Sequence, residues 1–582
     1  MRTSVPLRRW RLRPRADERL LRSTGVTPPV LAQLLLNRGY EPAQALGALS
    51  AIDAPLGDPA RMAGLPQAVE RLRAAIAAGE PVGVYGDYDV DGLTGAAILL
   101  RALAALGVRA IPYIPDRVAD GYGVSRQGLE YLAREGVRLV LTVDCGISAR
   151  EEVLLARALG LDVIVTDHHA VPAEVPEAVA VLNPRQQHCA YPFKHLSGAG
   201  VAYTLMRGLY QALPGVAHWA ALDDQLLQLA ALGAIADVVP LRHENRTLVA
   251  RGLQALCATP LVGLRELVAS AGRSLATMDA ESVSFVLAPR LNAAGRMASA
   301  LPALELLTTN DRTRARALAA ELERLNRQRQ ADLRQHLERA REALALKLDR
   351  AAVVVAGDFP LGLVGLLAGR LAEECARPAV VLRVADGVAR GSARAPLGID
   401  LVAALQPTAS LLTRFGGHER AAGLTLDSAQ LEAFEALFSQ AIAERWEAGG
   451  ALPTLSIDCA LRHTSINRET LAAVLALEPC GAGNERPIFL SRDLRVRSVQ
   501  IVGKEHARLY LEGSGRVFRA IAFRRAGDIP AAGQCVDLVF HLRPDRSGAF
   551  EPELEVLDWR HSTLDLAPSA PYTREQGMRL ES

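Results

Sequence analysis

The sequence predicts an α/β protein built on parallel sheets, with a second, smaller αβ unit and a β-rich barrel toward its end. Three observations carry this. Residues 60–250 alternate short apolar runs with amphipathic stretches, the βα rhythm of a doubly wound sheet. Residues 311–349 form the longest helical repeat in the chain, and a new βα unit begins at Ala351. Beyond residue 453, short alternating segments separated by Gly, Pro and Asp read as the strands of a small barrel.

Composition sets the frame for these elements. A chain of 582 residues with 50% apolar side chains has material for several domains, roughly three to five. Its 66 basic and 64 acidic side chains leave a formal charge of +2, so any positive groove must be local. The seven cysteines are scattered without a CxxC pair, which excludes a zinc module and suits reduced thiols in the cytoplasm. The arginine-rich N-terminus has no apolar core of a signal peptide. No run approaches 18 uninterrupted apolar residues, so no membrane span is expected.

Taken in order, residues 1–55 read as an N-terminal extension. Its basic stretch 8–15, RRWRLRPR, suits either a phosphate backbone or a solvated arm. Helix 67–79 leads to a strand from Val82, helix 95–106 and strand 108–114. The loop 116–126 follows, with Ser125 as N-cap of helix 126–134. Strand 138–143, helix 149–159 and strand 162–166 continue the rhythm. Helices then dominate 198–233, entered through the tight SGAG of 197–200. The repeat over 311–349 predicts one helix of about 55–60 Å at 1.5 Å per residue, a bridge between two lobes or half of a coiled coil. Strand 351–357, helix 361–374 and strand 378–384 open the second lobe. After a polar break near 447–453, strands are expected at 454–460, 493–501, 506–513, 517–523, 534–541 and 549–557. Arg492, Arg495, Arg497, Lys504, Arg508, Arg516, Arg519, Arg524 and Arg525 make this region locally basic. Tyr510, Phe518 and Phe523 are candidates to stack bases, although alternation turns some of them into the core.

The chemistry concentrates at strand ends. Residues 82–95 read VGVYGDYDVDGLTG: a buried strand runs into Asp87, Asp89 and Asp91, and a helix follows. Ligands bind at the carboxyl ends of parallel strands. Three adjacent carboxylates repel one another without a cation, and hard oxygens suit Mg²⁺ or Mn²⁺. A Gly/Asp turn that only caps the helix is the alternative. The same grammar recurs in LVLTVDCGI (139–147), ending in Asp144, and in VIVTDHH (163–169), ending in Asp167, His168 and His169. Asp237 interrupts the apolar ALGAIADVVPL of 231–241, where an unpaired carboxylate is costly.

GDYDVDG, VDCGI, TDHH and ALGAIADVVPL resemble the blocks of the DHH phosphoesterase superfamily, in its RecJ branch. IPDRVADGYG (114–123), RLNAAGRM (290–297), FGGHERAAG (415–423) and EPCGAGNERP (478–487) are similar to further blocks of that branch. The resemblance implies a DHH catalytic domain over 56–270, a connector over 271–350 containing the long helix, and a DHHA1 domain over 351–447. An OB-type nucleic-acid-binding barrel over 448–560 and a tail over 561–582 complete it. Longer members carry another C-terminal domain that this chain is expected to lack.

What it implies functionally is a metal-dependent exonuclease that degrades single-stranded DNA 5′→3′ to nucleotides in DNA repair and recombination. Asp87, Asp89, Asp91, Asp144, His168 and Asp237 are then the ligands of two Mn²⁺ or Mg²⁺ ions, with Asp144 bridging. A histidine in the set favours Mn²⁺. His169 contacts phosphate and Asp167 orients the histidine pair. Arg117, Arg290, Asn292 and Arg296 position substrate phosphate, and Ser392, Arg394, Gly416, Gly417 and His418 clamp the end nucleotide through glycine-rich turns. One departure stands out: the branch carries a Trp-His pair where this chain has Phe359-Pro360, which puts substrate handling in the second lobe in doubt. Single-strand-binding protein and a helicase are the expected partners of a cytoplasmic monomer. The competing readings are a phosphodiesterase for short oligonucleotides or cyclic dinucleotides, a pyrophosphatase, and a decayed scaffold. A helicase is excluded, because no GxxxxGK[ST] occurs.

Overall fold

In a computed structural model, residues 8–117, 120–213, 219–345, 347, 350–396, 398–449, 454–545 and 550–562 are described. Two compact units result: Pro55–Gly450, and a second that unites Met1–Ala54 with Ala451–Ser582.

In the larger unit the first lobe is a five-stranded parallel sheet. Its spatial order is Ala110–Tyr113, Val82–Gly86, Leu139–Val143, Asp162–Thr166, Ala180–Leu182. The two central strands, VGVYG and LVLTV, are buried throughout, as expected of strands covered by helices on both faces. Strand order reverses between them, and such a switch point opens a crevice beyond the strand ends. The edge strand Ala180–Leu182 has three residues and no sequence periodicity to betray it. The helix after the first motif starts at Val90, five residues before the expected 95, because the Asp89 side chain caps it. Ser125 caps Arg126–Arg134 as expected.

The bridge is a single helix, Arg312–Ala345, of 34 residues. Ala315, Leu318, Ala319, Leu322 and Leu325 lie in the first lobe's core, whereas Ala340 and Leu344 lie in the second lobe's. Its apolar stripe therefore serves two cores in turn, and no partner helix of a coiled coil is needed. Arg290 on helix Ala288–Met297 pins the bridge, with Nε 2.7 Å from Glu323 Oε2 and both side chains largely buried.

The second lobe is a mixed sheet in the order Leu412–His418, Ala421–Asp427, Val388–Arg394, Ala379–Ala385, Val353–Gly357. Only the last pair is parallel. This corrects one expectation. The glycines of FGGHERAAG and the segment RGSARA lie within antiparallel strands, not in turns. Gly417 is required there: at φ +151 a Cβ would stand 2.3 Å from the Ala421 carbonyl.

In the other unit, Phe489–Val502 pairs with both His506–Gly513 and Cys535–Pro544, which closes a barrel. The N-terminal segment is built into this unit. Arg9–Leu12 pairs with Thr454–Ile457, and Leu31, Leu34 and Leu35 share a core with Phe489 and Phe540. Trp10 is committed, since its Nε1 donates to Asp558 at 2.8 Å under the Arg560 guanidinium. Phe518 faces the core, which removes it as a stacking platform. Arg497, Arg519 and Arg525 are tied to Glu512, Asp545 and Asp528. Among the described residues no single helix is long and apolar enough to cross a membrane.

Removing the pin should loosen the bridge. Arg290→Met is expected to cost about 1.5–3 kcal/mol, the scale of hydrogen bonds to charged groups. Denaturant unfolding of the variant beside wild type checks this.

Candidate metal centre

The switch point gathers its polar groups from five chain segments. Asp87 leaves the first strand with its amide donating to the Val143 carbonyl at 3.2 Å. Asp89 caps the next helix, accepting from the amides of Asp91 at 2.9 Å and Gly92 at 3.2 Å. It thus serves as the helix cap and still faces the cluster. Asp91, in the first helical turn, accepts from the amides of Gly198 at 2.6 Å and Ala199 at 3.0 Å. Asp144 ends the third strand at φ 61°, a left-handed backbone that aims its carboxylate back over the sheet. Asp237 follows helix Trp219–Ala236, with its amide donating to the Gly233 carbonyl at 2.9 Å.

Their donor atoms fall into three groups of near neighbours: Asp87, Asp89 and Asp144; Asp91, His168 and Asp237; and Asp144, His168 and His169. Asp144 and His168 belong to two groups each. His168 Nε2 stands 3.0 Å from Asp144 Oδ1, 3.6 Å from Asp237 Oδ2 and 3.8 Å from Asp91 Oδ2. Despite that proximity, Asp144 Oδ1, His168 Nε2 and Asp87 Oδ1 are buried without a hydrogen-bond partner. Buried polar atoms are ordinarily satisfied. Three that converge on one space fit a divalent cation.

Electrostatics agree. Burial first, and then neighbouring carboxylates, raises Asp87 and Asp144 well above the usual range, Asp91 to about 7 and Asp237 to about 8. Burial, helped by His169, lowers His168 to about 3, leaving the neutral imidazole that ligates metals. His169 is also partly desolvated, but its 2.8 Å contact with Asp167 wins and raises it. Asp167 accepts as well from the amides of Ile147, His168 and His169, so it holds the His169 ring and the backbone of the pair.

Close packing holds the carboxylates in place. A Cβ on Gly233 would stand 2.4 Å from Asp91 Oδ1, one on Gly198 2.6 Å from Asp144 Cβ, and one on Gly92 2.6 Å from the Asp87 backbone. Other contributors carried no recognised signal. The Tyr122 hydroxyl donates to the Asp144 carbonyl at 3.3 Å and lies 3.2 Å from His169 Nδ1. Asn183 Nδ2 donates to the His169 carbonyl at 3.0 Å, and the charge of Arg185 bears on His168. Tyr122 lies inside the quoted ADGYG block, and Gly198 inside SGAG; each was legible as a motif but not as a contact.

The residues expected to hold substrate divide. The Arg117 guanidinium lies 3.9 Å over the Tyr88 ring, with its Nε buried and unpartnered. Asn292 Oδ1 is likewise buried and unpartnered. Arg296 Nη1 donates to the Gly362 carbonyl of the second lobe at 3.3 Å. Burial and then the charges of Arg117, Arg329 and Arg394 push it down to about 9. A Cβ on Gly365 would meet Arg394 Nη2 at 3.0 Å and Ser392 Oγ at 3.5 Å. His418 is exposed, and its charge bears on His168 across the lobes; Gly416 and Gly417 are exposed on the same strand. Arg290 differs from expectation: Glu323 and the Val286 carbonyl already hold it, so it ties helix to helix. Phe359 is buried in the second lobe's core, 5.9 Å from the His336 ring, and presents no aromatic surface.

The doubly wound sheet and the donor set at its switch point define a phosphoesterase of the DHH class. The model of the DHH family, N-terminal domain, matches residues 81–234, that of the DHHA1 domain residues 349–444, and that of the RecJ OB domain residues 457–556. The single-stranded-DNA-specific exonuclease RecJ of Dickeya dadantii is 35% identical, the match covering 88% of this chain and 92% of that protein. The RecJ of Bacillus subtilis is 36% identical over 89% of this chain, which spans 66% of that protein's length. Thermus thermophilus RecJ, solved with Mn²⁺, superposes at a TM-score of 0.80 and 32% identity, covering 97% of this chain and 80% of that one. A Mg²⁺ complex of the same enzyme matches at 0.74. The chain belongs to the RecJ family.

Gly233→Ala drives a methyl group into the Asp91 carboxylate. The expected result is a 10- to 100-fold loss of Mn²⁺ affinity, roughly the effect of disturbing a ligand's support. Calorimetric titration with Mn²⁺ checks it, with circular dichroism showing the fold retained.

Proposed function

We propose that this chain is a metal-dependent exonuclease that removes nucleotides from single-stranded DNA, working from the 5′ end. The observation that carries it is the convergence of Asp87 Oδ1, Asp144 Oδ1 and His168 Nε2, all buried and unpartnered, at the sheet's switch point. Asp87, Asp89 and Asp144 would hold one Mn²⁺ or Mg²⁺, and Asp91, His168 and Asp237 a second, with Asp144 between them. Bound there, divalent ions lower the pKa of water and offset charge on a phosphodiester in flight.

The protein's own groups do the positioning. Amides of Gly198 and Ala199 fix Asp91, and Asp167 turns the His169 ring toward the cluster, where it can donate to a phosphate oxygen. Arg117 and Arg296 face the phosphate from the first lobe, their planar forks suited to paired oxygens. Asn292 joins them. Ser392, Arg394 and His418, beside the bare Gly416 and Gly417, meet the end nucleotide from the second. The closeness of the two lobes, with Arg296 reaching Gly362, favours a single strand over a duplex.

A polymer is favoured over a dinucleotide or pyrophosphate by the barrel. Its surface holds a cavity of about 360 Å³ lined by His506, Arg508, Ile521 and Phe523 among others. Arginine beside an aromatic face grips single strands without reading sequence. Through the barrel's basic surface we infer cooperation with a single-strand-binding protein and a helicase in repair or recombination, by a monomer in the cytoplasm.

Asp144→Asn is expected to reduce Mn²⁺-dependent cleavage by at least about 10³-fold, the scale for loss of a central electrostatic group. The assay uses one strand labelled at its 5′ end and the same strand labelled at its 3′ end. Wild type should release labelled mononucleotide early from the first and late from the second. Cleavage limited to strands of a few nucleotides contradicts the proposal.

A further inference from the structure

The second lobe's sheet carries more positive charge than the end clamp uses. Strand register sets Arg383 opposite Arg390, Arg390 opposite Thr425, and Thr425 opposite Arg414. Three arginines therefore lie in one register row across four strands. Like charges directly opposite one another destabilise a sheet. Yet no ion pair joins any of the three to a carboxylate among the described residues, and Arg383 Nε is buried without a hydrogen-bond partner. Arg390 and Arg414 are exposed. A sheet that tolerates such a row, with nothing to neutralise it, is prepared for an anion.

Placement says which anion. Side chains two residues apart share a face, so Arg390 lies on the face of Ser392 and Arg394. The neighbouring row on that face is Ser392, Gly423 and Gly416, and a Cβ on Gly416 would meet nothing within 4 Å. Two glycines thus leave a bare floor beside the arginines. Helix Leu361–Cys375 packs over Val353, Val355 and Val381 and reaches Ser392 and Arg394, where a Cβ on Gly365 would meet Ser392 Oγ at 3.5 Å, while Arg390, Arg414 and Gly416 stay exposed. Two strand residues span about 7 Å, within the reach of one nucleotide in an extended strand.

We propose that Arg383, Arg390 and Arg414 form a second phosphate subsite, one nucleotide from the Ser392–Arg394–His418 clamp. The second lobe then grips two successive phosphates of a strand. This rests on the clamp reading given above and adds a length requirement to it: the shortest well-held ligand carries two phosphates at nucleotide spacing.

Equilibrium binding to the full chain in EDTA tests this without catalysis. The probes are thymidine monophosphate and a 5′-phosphorylated thymidine joined through a second phosphate to an abasic deoxyribose. Wild type should bind the two-phosphate probe about tenfold more tightly, and the logarithmic salt slope should be steeper by about 0.7, one phosphate's share. Arg390→Gln/Arg414→Gln should bring the two affinities together. The unliganded double variant should melt no lower than wild type, because Arg383 loses a facing like charge. Arg414→Gln alone, remote from Arg383, should give a partial loss. An unchanged affinity ratio in the double variant overturns the subsite. So does a thymidine triphosphate that binds as tightly as the two-phosphate probe, since its phosphates are too close together. Failure of the clamp reading looks different: wild type then fails to cleave labelled strands with Mn²⁺, whatever the binding ratio.

Discussion

The site of the larger unit is governed by mutual repulsion among buried carboxylates. Asp87, Asp91 and Asp144 are almost fully buried within one crevice, with Asp89 and Asp237 at its edge. Burial disfavours their charges and each carboxylate disfavours the next. Among the described residues no lysine or arginine ion pair relieves this, and oxygens on Asp87 and Asp144 are left without a donor. A divalent cation held by these residues would resolve the conflict, and its binding would displace any protons the raised carboxylates hold.

The surrounding structure keeps that conflict from relaxing. The strand ends set the positions of Asp87, Asp144 and Asp167, and caps or backbone amides set those of Asp89 and Asp91. Gly92, Gly198 and Gly233 let helices close on the carboxylates where a methyl group would collide. The same economy recurs in the second lobe. There Gly416 and Gly423 leave one face of the sheet bare beside Arg390, Ser392 and Arg394. One lobe concentrates negative charge at its switch point; the other presents arginines on its sheet. The 34-residue helix, anchored in both cores, holds them in register.

Much of this was legible from the chain alone, for a physical reason. A carboxylate at the end of a β-branched run has few structural uses, so Asp87, Asp144 and the Asp167–His169 triplet announced themselves. The long helix was equally plain, because its stripe repeats over many turns. What escaped depends on distant pairing. Nothing local in SGAG says that two of its amides hold Asp91, and Arg290 looks the same in sequence whether it meets phosphate or Glu323. RGSARA and FGGHERAAG read as turns because glycine usually breaks strands, whereas here Gly391 and Gly417 let neighbouring strands close in, with a Cβ 1.9 Å from the Val381 carbonyl and 2.3 Å from the Ala421 carbonyl. The association of the N-terminal helices with the barrel is a contact across more than 400 residues, invisible to any window of sequence.

The claim that most needs a direct test is that Asp144 lies between two ions. Crystals grown with Mn²⁺ and measured at the manganese edge would show it in an anomalous difference map. The account predicts two peaks about 3.5–4 Å apart, the usual separation in two-metal sites, with Asp144 contacting both. A single peak, or two with Asp144 bound to only one, would contradict it.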